Sequence, residues 1–255
     1  MGISTITEDY SHLGVGELWL RRKGSTEPYR PIGNANQVQM AIEQNTITQG
    51  EFRSPGGGAR NEINRIVGVA ANLQVFDLSP ENIAMVLYGD ASAVAATDAT
   101  QKKERVTVRT GGLIPLEYMN PSNVSVTKDP DGTPVTAEAG TDYEVRAGGV
   151  FLFANVQGGV LTDGDEIEIA YDHGAQYVIE SMVNSGYEFE ASFRGYNEAR
   201  AKHFSLDMYR LRFPPTEGLD WVGEEFATLS TAPKLLADTT KPAGKSQFFR
   251  ATMEQ

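Results

Sequence analysis

Glu188 and Glu190 stand two residues apart in an alternating run, which puts both carboxylates on one face of a strand, as a pair for general acid and base work would require. Any solvated sheet face produces the same spacing, and no pocket motif accompanies the pair, so catalysis is not expected from it. His12, His173 and His203 are far apart and lack the i, i+4 pairing that histidine metal sites show in sequence, so they read as surface or structural residues. Asp129-Pro130-Asp131-Gly132 has acids like a calcium loop, but neither the D-x-[DN]-x-[DN]-G order nor the distant Glu, and reads as a tight turn. Gly56, Gly57 and Gly58 lack the G-x-x-x-x-G-K-[ST] order of a phosphate loop and precede no helix signal; they fit a hairpin tip. The chain has no G-x-S-x-G elbow and no cysteine, which excludes disulfides, thiol nucleophiles and thiolate zinc sites. Lys102-Lys103 and Arg21-Arg22-Lys23 are too short to form a nucleic-acid stripe. The residues therefore predict no enzyme and no cofactor.

The elements that would position these residues are mainly β. Apolar and polar residues alternate over short runs separated by Gly, Pro, Asn and Asp, in a chain of 255 residues with 40% hydrophobic and 22% charged residues. In residues 37–45, Val38, Met40 and Ile42 fall on one face, with Gln37, Gln39, Glu43 and Asn45 on the other. After the glycine tip, residues 62–76 place Ile63, Val67, Val69, Ala71, Leu73 and Val75 on one face, which predicts a long hairpin or ribbon. Tyr187, Phe189, Ala191 and Phe193 share a face opposite Glu188, Glu190, Ser192 and Arg194. Phe204, Leu206 and Met208 lie in one phase and Tyr209, Leu211 and Phe213 in the other, so a bulge is expected near Met208-Tyr209. Residues 219–229, with Trp221 and Phe226, read as another strand, and 246–253 as a final one. One helix is signalled at 78–89: Ser79 caps, Pro80 fits the first position, Glu81 complements the dipole, and Gly89 supplies a stop.

Residues 102–174 are denser in turn signals and carry their own apolar sets: Val106 and Val108, Val124 and Val126, Tyr143 and Val145, Val150 and Leu152, and Ile167, Ile169 and Tyr171. They predict a small β-sandwich inserted between residues 1–101 and 175–255. The formal charge of −12 argues against a protein that grips nucleic acid, because such proteins neutralise phosphates with clustered Lys and Arg. The first residues have neither a basic region nor an apolar run, and the most apolar stretch, 66–76, is far shorter than the ~20 residues of a membrane span, so neither a secretory signal nor a membrane anchor is expected.

The order of these elements resembles the major tail tube proteins of long-tailed, siphovirus-like bacteriophages. The resemblance is carried by Leu13-Gly14-Val15-Gly16-Glu17-Leu18-Trp19-Leu20, by Ile32-Gly33-Asn34, and by the ribbon running into Leu78-Ser79-Pro80-Glu81-Asn82-Ile83-Ala84. It continues through the aromatic strand at 187–193, Gly195-Tyr196-Asn197 and Phe213-Pro214-Pro215, covering about residues 13–238 without the insert. The insert, with Thr141-Asp142-Tyr143-Glu144-Val145, Gly149-Val150-Phe151 and Leu161-Thr162-Asp163-Gly164-Asp165-Glu166-Ile167, resembles immunoglobulin-like modules of phage structural proteins.

The resemblance implies a β-sandwich or barrel tail-tube fold with one flanking helix. It also implies assembly into stacked hexameric rings that form a tail tube, a negatively charged conduit for DNA ejection, in a virion assembled in the host cytoplasm. DNA would pass without specific binding, and the implied partners are further copies of the chain, a tape measure, a tail terminator and distal tail proteins. Oligomerisation is also a physical expectation, because joining open sheets into a ring pairs their edges. On this reading Gln39, Glu43, Glu188 and Glu190 face the lumen, and the loop with Phe52, Arg53, Gly56, Gly57, Gly58 and Arg60 contacts the adjacent ring. The insert's size and polar turns place it on the tube exterior. The competing readings are a monomeric β-sandwich adhesin or carbohydrate-binding module and, third, a glycosidase with two convergent carboxylates.

Overall fold

The computed structural model describes residues 10–53, 55–154, 158–216 and 218–255. With 49% strand and 3% helix the protein is mainly β, built around a curled half-barrel sheet and one helix. Two compact units divide the chain: Met1–Ala91 with Ile179–Gln255, and Ser92–Val178.

The first unit opens with β1 (Gly14–Arg22), β2 (Arg30–Pro31) and the long pair β3 (Ala35–Gly50) and β4 (Ala59–Val75), followed by α1 (Pro80–Val86). The chain leaves it through β5 (Asp90–Val94) and, after the second unit, returns through β13 (Gln176–Glu180), the strand that pairs β5. Between them lie β6 (Lys102–Thr107), β7 (Leu113–Pro115), β8 (Ser122–Lys128), β9 (Val135–Thr136), β10 (Tyr143–Arg146), β11 (Gly149–Leu152) and β12 (Glu166–Asp172). The first unit is completed by β14 (Glu188–Asn197), β15 (Lys202–Arg212), β16 (Leu229–Thr231), β17 (Lys234–Leu235) and β18 (Phe249–Met253).

Its nine-stranded sheet runs β16-β4-β17-β15-β14-β1-β2, with β3 on β4 and β18 on β15. The alternation at 187–194 is realised: Phe189 and Ala191 are buried, while Glu188, Glu190 and Ser192 lie on the opposite face. The expected bulge is found, since Ala191 faces Met208 but Phe189 faces Leu211, leaving Tyr209 and Arg210 in the shift. That shift lets Met208, Leu211 and Phe213 all reach a core shared with Leu18, Leu20 and Val75. The expected strand at 219–229 is not formed: pairing begins at Leu229, and Trp221, Val222 and Phe226 are exposed, the last two at 95%.

Helix α1 begins as its sequence dictates, with the Ser79 hydroxyl accepting the Asn82 N–H at 3.2 Å and Pro80 in the first turn. Its end differs from expectation. Tyr88, not glycine, takes the left-handed conformation (φ 52°) and is held there by its hydroxyl donating to the Phe213 carbonyl at 2.9 Å. Gly89 is required for close approach instead, because a Cβ there would lie 2.2 Å from the Glu180 carbonyl oxygen.

In the second unit the four-stranded sheet β6-β12-β8-β9 and the three-stranded sheet β10-β11-β7 contribute to one core, with Val126, Val150, Leu152, Ile167, Ile169 and Tyr171 buried. This is the sandwich expected from the turn spacing, although Val145 is exposed rather than buried. Among the described residues no helix is long and apolar enough to cross a membrane.

Asn82, fully buried, ties the helix to the sheet. Its side-chain amide donates to the carbonyls of Ile32 and Asp77, both at 2.8 Å, and its oxygen accepts from Arg30 at 2.8 Å. Asn82→Ala strands these groups and is expected to cost about 2–4 kcal/mol, measured by urea denaturation.

Candidate functional site

The long β3–β4 ribbon is only half covered. Near its base β4 pairs β16 at residues 73–75 and β17 at 69–70, and Val69, Ala71, Leu73 and Val75 are buried as expected. Beyond that point, from Glu43 opposite Gly68 out to Gly50 opposite Ala59, the two strands pair only with each other among the described residues.

Here the predicted faces fail. Val67 is the extra residue of a register shift, since Glu43 faces Gly68 and Gln44 faces Ile66, and a one-residue shift inverts every side chain beyond it. Ile42, Ile47, Ile63, Ile66 and Val67 are all exposed, Ile66 at 67%. Cross-strand polar pairs brace the ribbon: Thr46 donates to Asn64 at 2.7 Å and Asn61 to Gln49 at 2.7 Å. Residues 35–75 hold three glutamates and three arginines, a net charge of zero in a chain of −12.

Gln39 and Glu43 are exposed on β3, with Gln39 accepting from Asn72 at 3.1 Å. The ribbon tip is closed by the Glu51 N–H donating to the Gly58 carbonyl at 2.8 Å. Phe52 is 92% exposed, and Arg53 donates its N–H to the Glu51 carboxylate at 2.7 Å. Arg60 stands 3.8 Å from the same carboxylate. Gly56, Gly57 and Gly58 all have positive φ with open space around them, so their conformation, not crowding, demands glycine. Ser54 of this loop lies outside the described residues.

Glu188 and Glu190 lie elsewhere, on β14, separated from β3 by β15, β17 and β4 in the sheet order. They are not free carboxylates. Arg210 grips Glu188 through two hydrogen bonds of 2.7 Å, which hold its carboxyl below the usual range against a modest burial effect. Burial pushes Glu190 up, but hydrogen bonds from Arg21 (2.6 Å), Lys23 (3.3 Å) and Tyr29 (3.2 Å) outweigh it and hold that carboxyl low as well. Lys23 also reaches Asp238 at 3.1 Å, and Thr240 with Lys23 holds the Asp238 carboxyl at about 2. The pair thus belongs to an internally compensated network. Pairing of β1 with β14 sets Arg21 opposite Glu190, but the contributions of Arg210 and Asp238 come from strands that sequence alone does not bring near.

The remaining sequence candidates are dispersed. His173 is buried in the second unit with its ring centroid 4.0 Å from that of Tyr118, His12 packs edge-on against Phe204, and His203 lies beside Tyr196. Asp131 is bound by Arg105 at 2.6 and 3.0 Å, and Asp129 accepts the Gly132 N–H in a tight turn.

Because Glu188, Glu190 and Asp238 are all held below their unfolded values, the stability they supply is fully present above the ordinary carboxylate range. It is lost as pH falls through the depressed folded values, near 2 for Asp238. Urea denaturation across a pH series is expected to show a level stability down to about pH 5 and a decline below it. Lys23→Met is expected to cost about 1–3 kcal/mol at pH 7 and to flatten that decline.

No curated protein matches this chain. A family defined by sequence does match, over residues 11–252, which takes in the ribbon, the second unit and the charged network together. The chain belongs to the family described as protein of unknown function UCP028589.

Proposed function

We propose that this protein is a structural virion subunit that self-assembles into stacked hexameric rings, the tail tube of a long-tailed bacteriophage. The observation that carries the reading is the distal half of the β3–β4 ribbon: two long strands whose outer edges are unpaired among the described residues, isoleucine and valine on the surface, and no net charge. An isolated two-stranded ribbon is marginal in water, and a long unpaired edge is a template for pairing with another chain. In the assembled tube neighbouring copies cover the ribbon, the second unit lies outside, and DNA moves through the lumen. Repulsion of DNA then comes from the overall charge of −12 and from Glu43 rather than from Glu188 and Glu190, which are compensated within the chain.

The carbohydrate-binding reading draws on a recess of about 600 Å³ with Trp19, Tyr29 and Tyr209 in its walls. Arg21 lies over the Tyr29 ring and Lys241 over the Tyr209 ring, so the flat faces on which a sugar would stack are partly covered.

Negative-stain electron microscopy with sedimentation across a concentration series tests the proposal: rings or hollow tubes are expected, and a monodisperse monomer with glycan affinity would reject it. Ile63→Lys with Ile66→Lys is expected to abolish assembly while leaving the monomer's stability within about 0.5 kcal/mol of the parent, because both positions are exposed.

A further inference from the structure

Residues of β1, β14, β15 and the start of β3 line one recess of about 620 Å³. Phe193, Phe204 and Leu206 supply apolar surface, Val15 and Val38 come from the two strands, and Asn36 stands on the exposed edge of β3. Among the described residues no Asp, Glu, Lys or Arg lines it, and His12, packed edge-on against Phe204, is its titratable group. The aromatic rings lie close over glycine backbone: a Cβ on Gly195 would stand 2.4 Å from the Phe204 ring, and one on Gly16 would stand 2.8 Å from the Phe193 ring. Glycine at these positions keeps the rings down and the recess open.

We propose that this recess receives the ribbon tip of a second copy of the chain, with Phe52 as the inserted side chain. The inference rests on the self-assembly reading and gives it a specific contact. Phe52 is 92% exposed, and its ring lies over the Gly50 backbone, where a Cβ would stand 3.0 Å away. Its ribbon carries no net charge, and neither does the recess, so they can meet without the like-charge repulsion that a chain of −12 otherwise imposes. Three other recesses of the first unit fit less well. That beside Trp19 is lined by Glu190, Arg194, Asp207 and Asp238, that beside Tyr196 and Met253 by Arg194 and Glu254, and the other uncharged one, beside Pro214 and Thr228, has no aromatic residue. A protrusion on one part of the chain and its socket on another make a head-to-tail contact that repeats from copy to copy, as a growing tube requires. Burying an aromatic anchor in a desolvated socket is the commonest way such contacts are held.

The absence of cysteine makes the test clean. Arg53→Cys, beside Phe52, is mixed with Asn36→Cys at the recess, and, as a control, with Thr228→Cys at the other uncharged recess. An intermolecular disulfide needs Cα atoms within about 7 Å, so the first mixture is expected to cross-link and the control to cross-link little. Adding Phe52→Ala to the Arg53→Cys chain is expected to cut the cross-link yield about tenfold or more. Gly195→Ala, which drives the rings into the recess, is expected to do the same in the Asn36→Cys chain, with circular dichroism confirming a native fold. If the parent protein assembles but the Asn36 and Thr228 mixtures cross-link equally, the docking proposal is overturned and the self-assembly reading stands. If the parent never assembles, both are overturned.

Discussion

The unpaired strand edge is the constraint on which this structure turns. Each residue in a strand carries a donor and an acceptor that must be met by another strand or by water, and a strand with an open edge meets them only in part with protein. In the first unit the problem is solved near the core, where β16, β17 and β18 each cover a few residues of longer strands. These strands are two to five residues long, and they serve as local covers rather than as extensions of the sheet. Beyond Val69 no cover exists among the described residues, and β3 and β4 continue for another eight to ten residues on their own hydrogen bonds. The core therefore fixes where the ribbon starts, and the ribbon carries unsatisfied edges and apolar side chains away from it.

The polar face of β14 obeys a related constraint in a different currency. Glu188 and Glu190 are partly buried beneath longer side chains, and a carboxylate in such a place must be paired or neutralised. Arg210, Arg21 and Lys23 supply the counter-charges, and Lys23 extends the pairing to Asp238 on the segment after β17. The network thereby stitches β1, β14 and β15 to the chain's last segment, on the face opposite the hydrophobic core. Since removing Lys23 would leave both Glu190 and Asp238 short of a partner, these groups act together rather than as separate ion pairs.

Much of the fold was legible in sequence, for reasons that also locate the failures. The alternation at 187–194 is clean because β14 lies between β1 and β15, with one face on the core and the other polar. The helix was legible because Ser79, Pro80 and Glu81 act within one turn. The outer half of β4 was misread because the inserted Val67 inverts the phase, and a bulge leaves no mark in a run such as Ile66-Val67-Gly68-Val69. Trp221 and Phe226 promised a strand by residue type, but no neighbouring strand pairs with them, and β propensity without a partner does not make a sheet. At the candidate site, the glycine tip and the exposed Phe52 follow from local sequence. The compensation of Glu188 and Glu190 does not, since Arg210 is 22 residues away and Arg21 is 169 away from their partners.

The distribution of charge gives the ribbon its meaning. Residues 92–178 hold six basic and thirteen acidic residues, a net of −7, and the rest of the chain holds −5. Within that rest the ribbon is neutral, and its hairpin tip closes with a glutamate between two arginines. A subunit this acidic resists association wherever its charge is displayed, and repulsion between copies rises with each copy added. Contact between copies would then be favoured at surfaces of low net charge. In the proposed docking the net-neutral ribbon and the recess beside Phe193 and Phe204 would be two such surfaces, one a protrusion and the other a socket. On the proposed assembly, the net-neutral ribbon with its exposed isoleucine and valine would supply the attraction that the net negative charge of the remaining chain opposes.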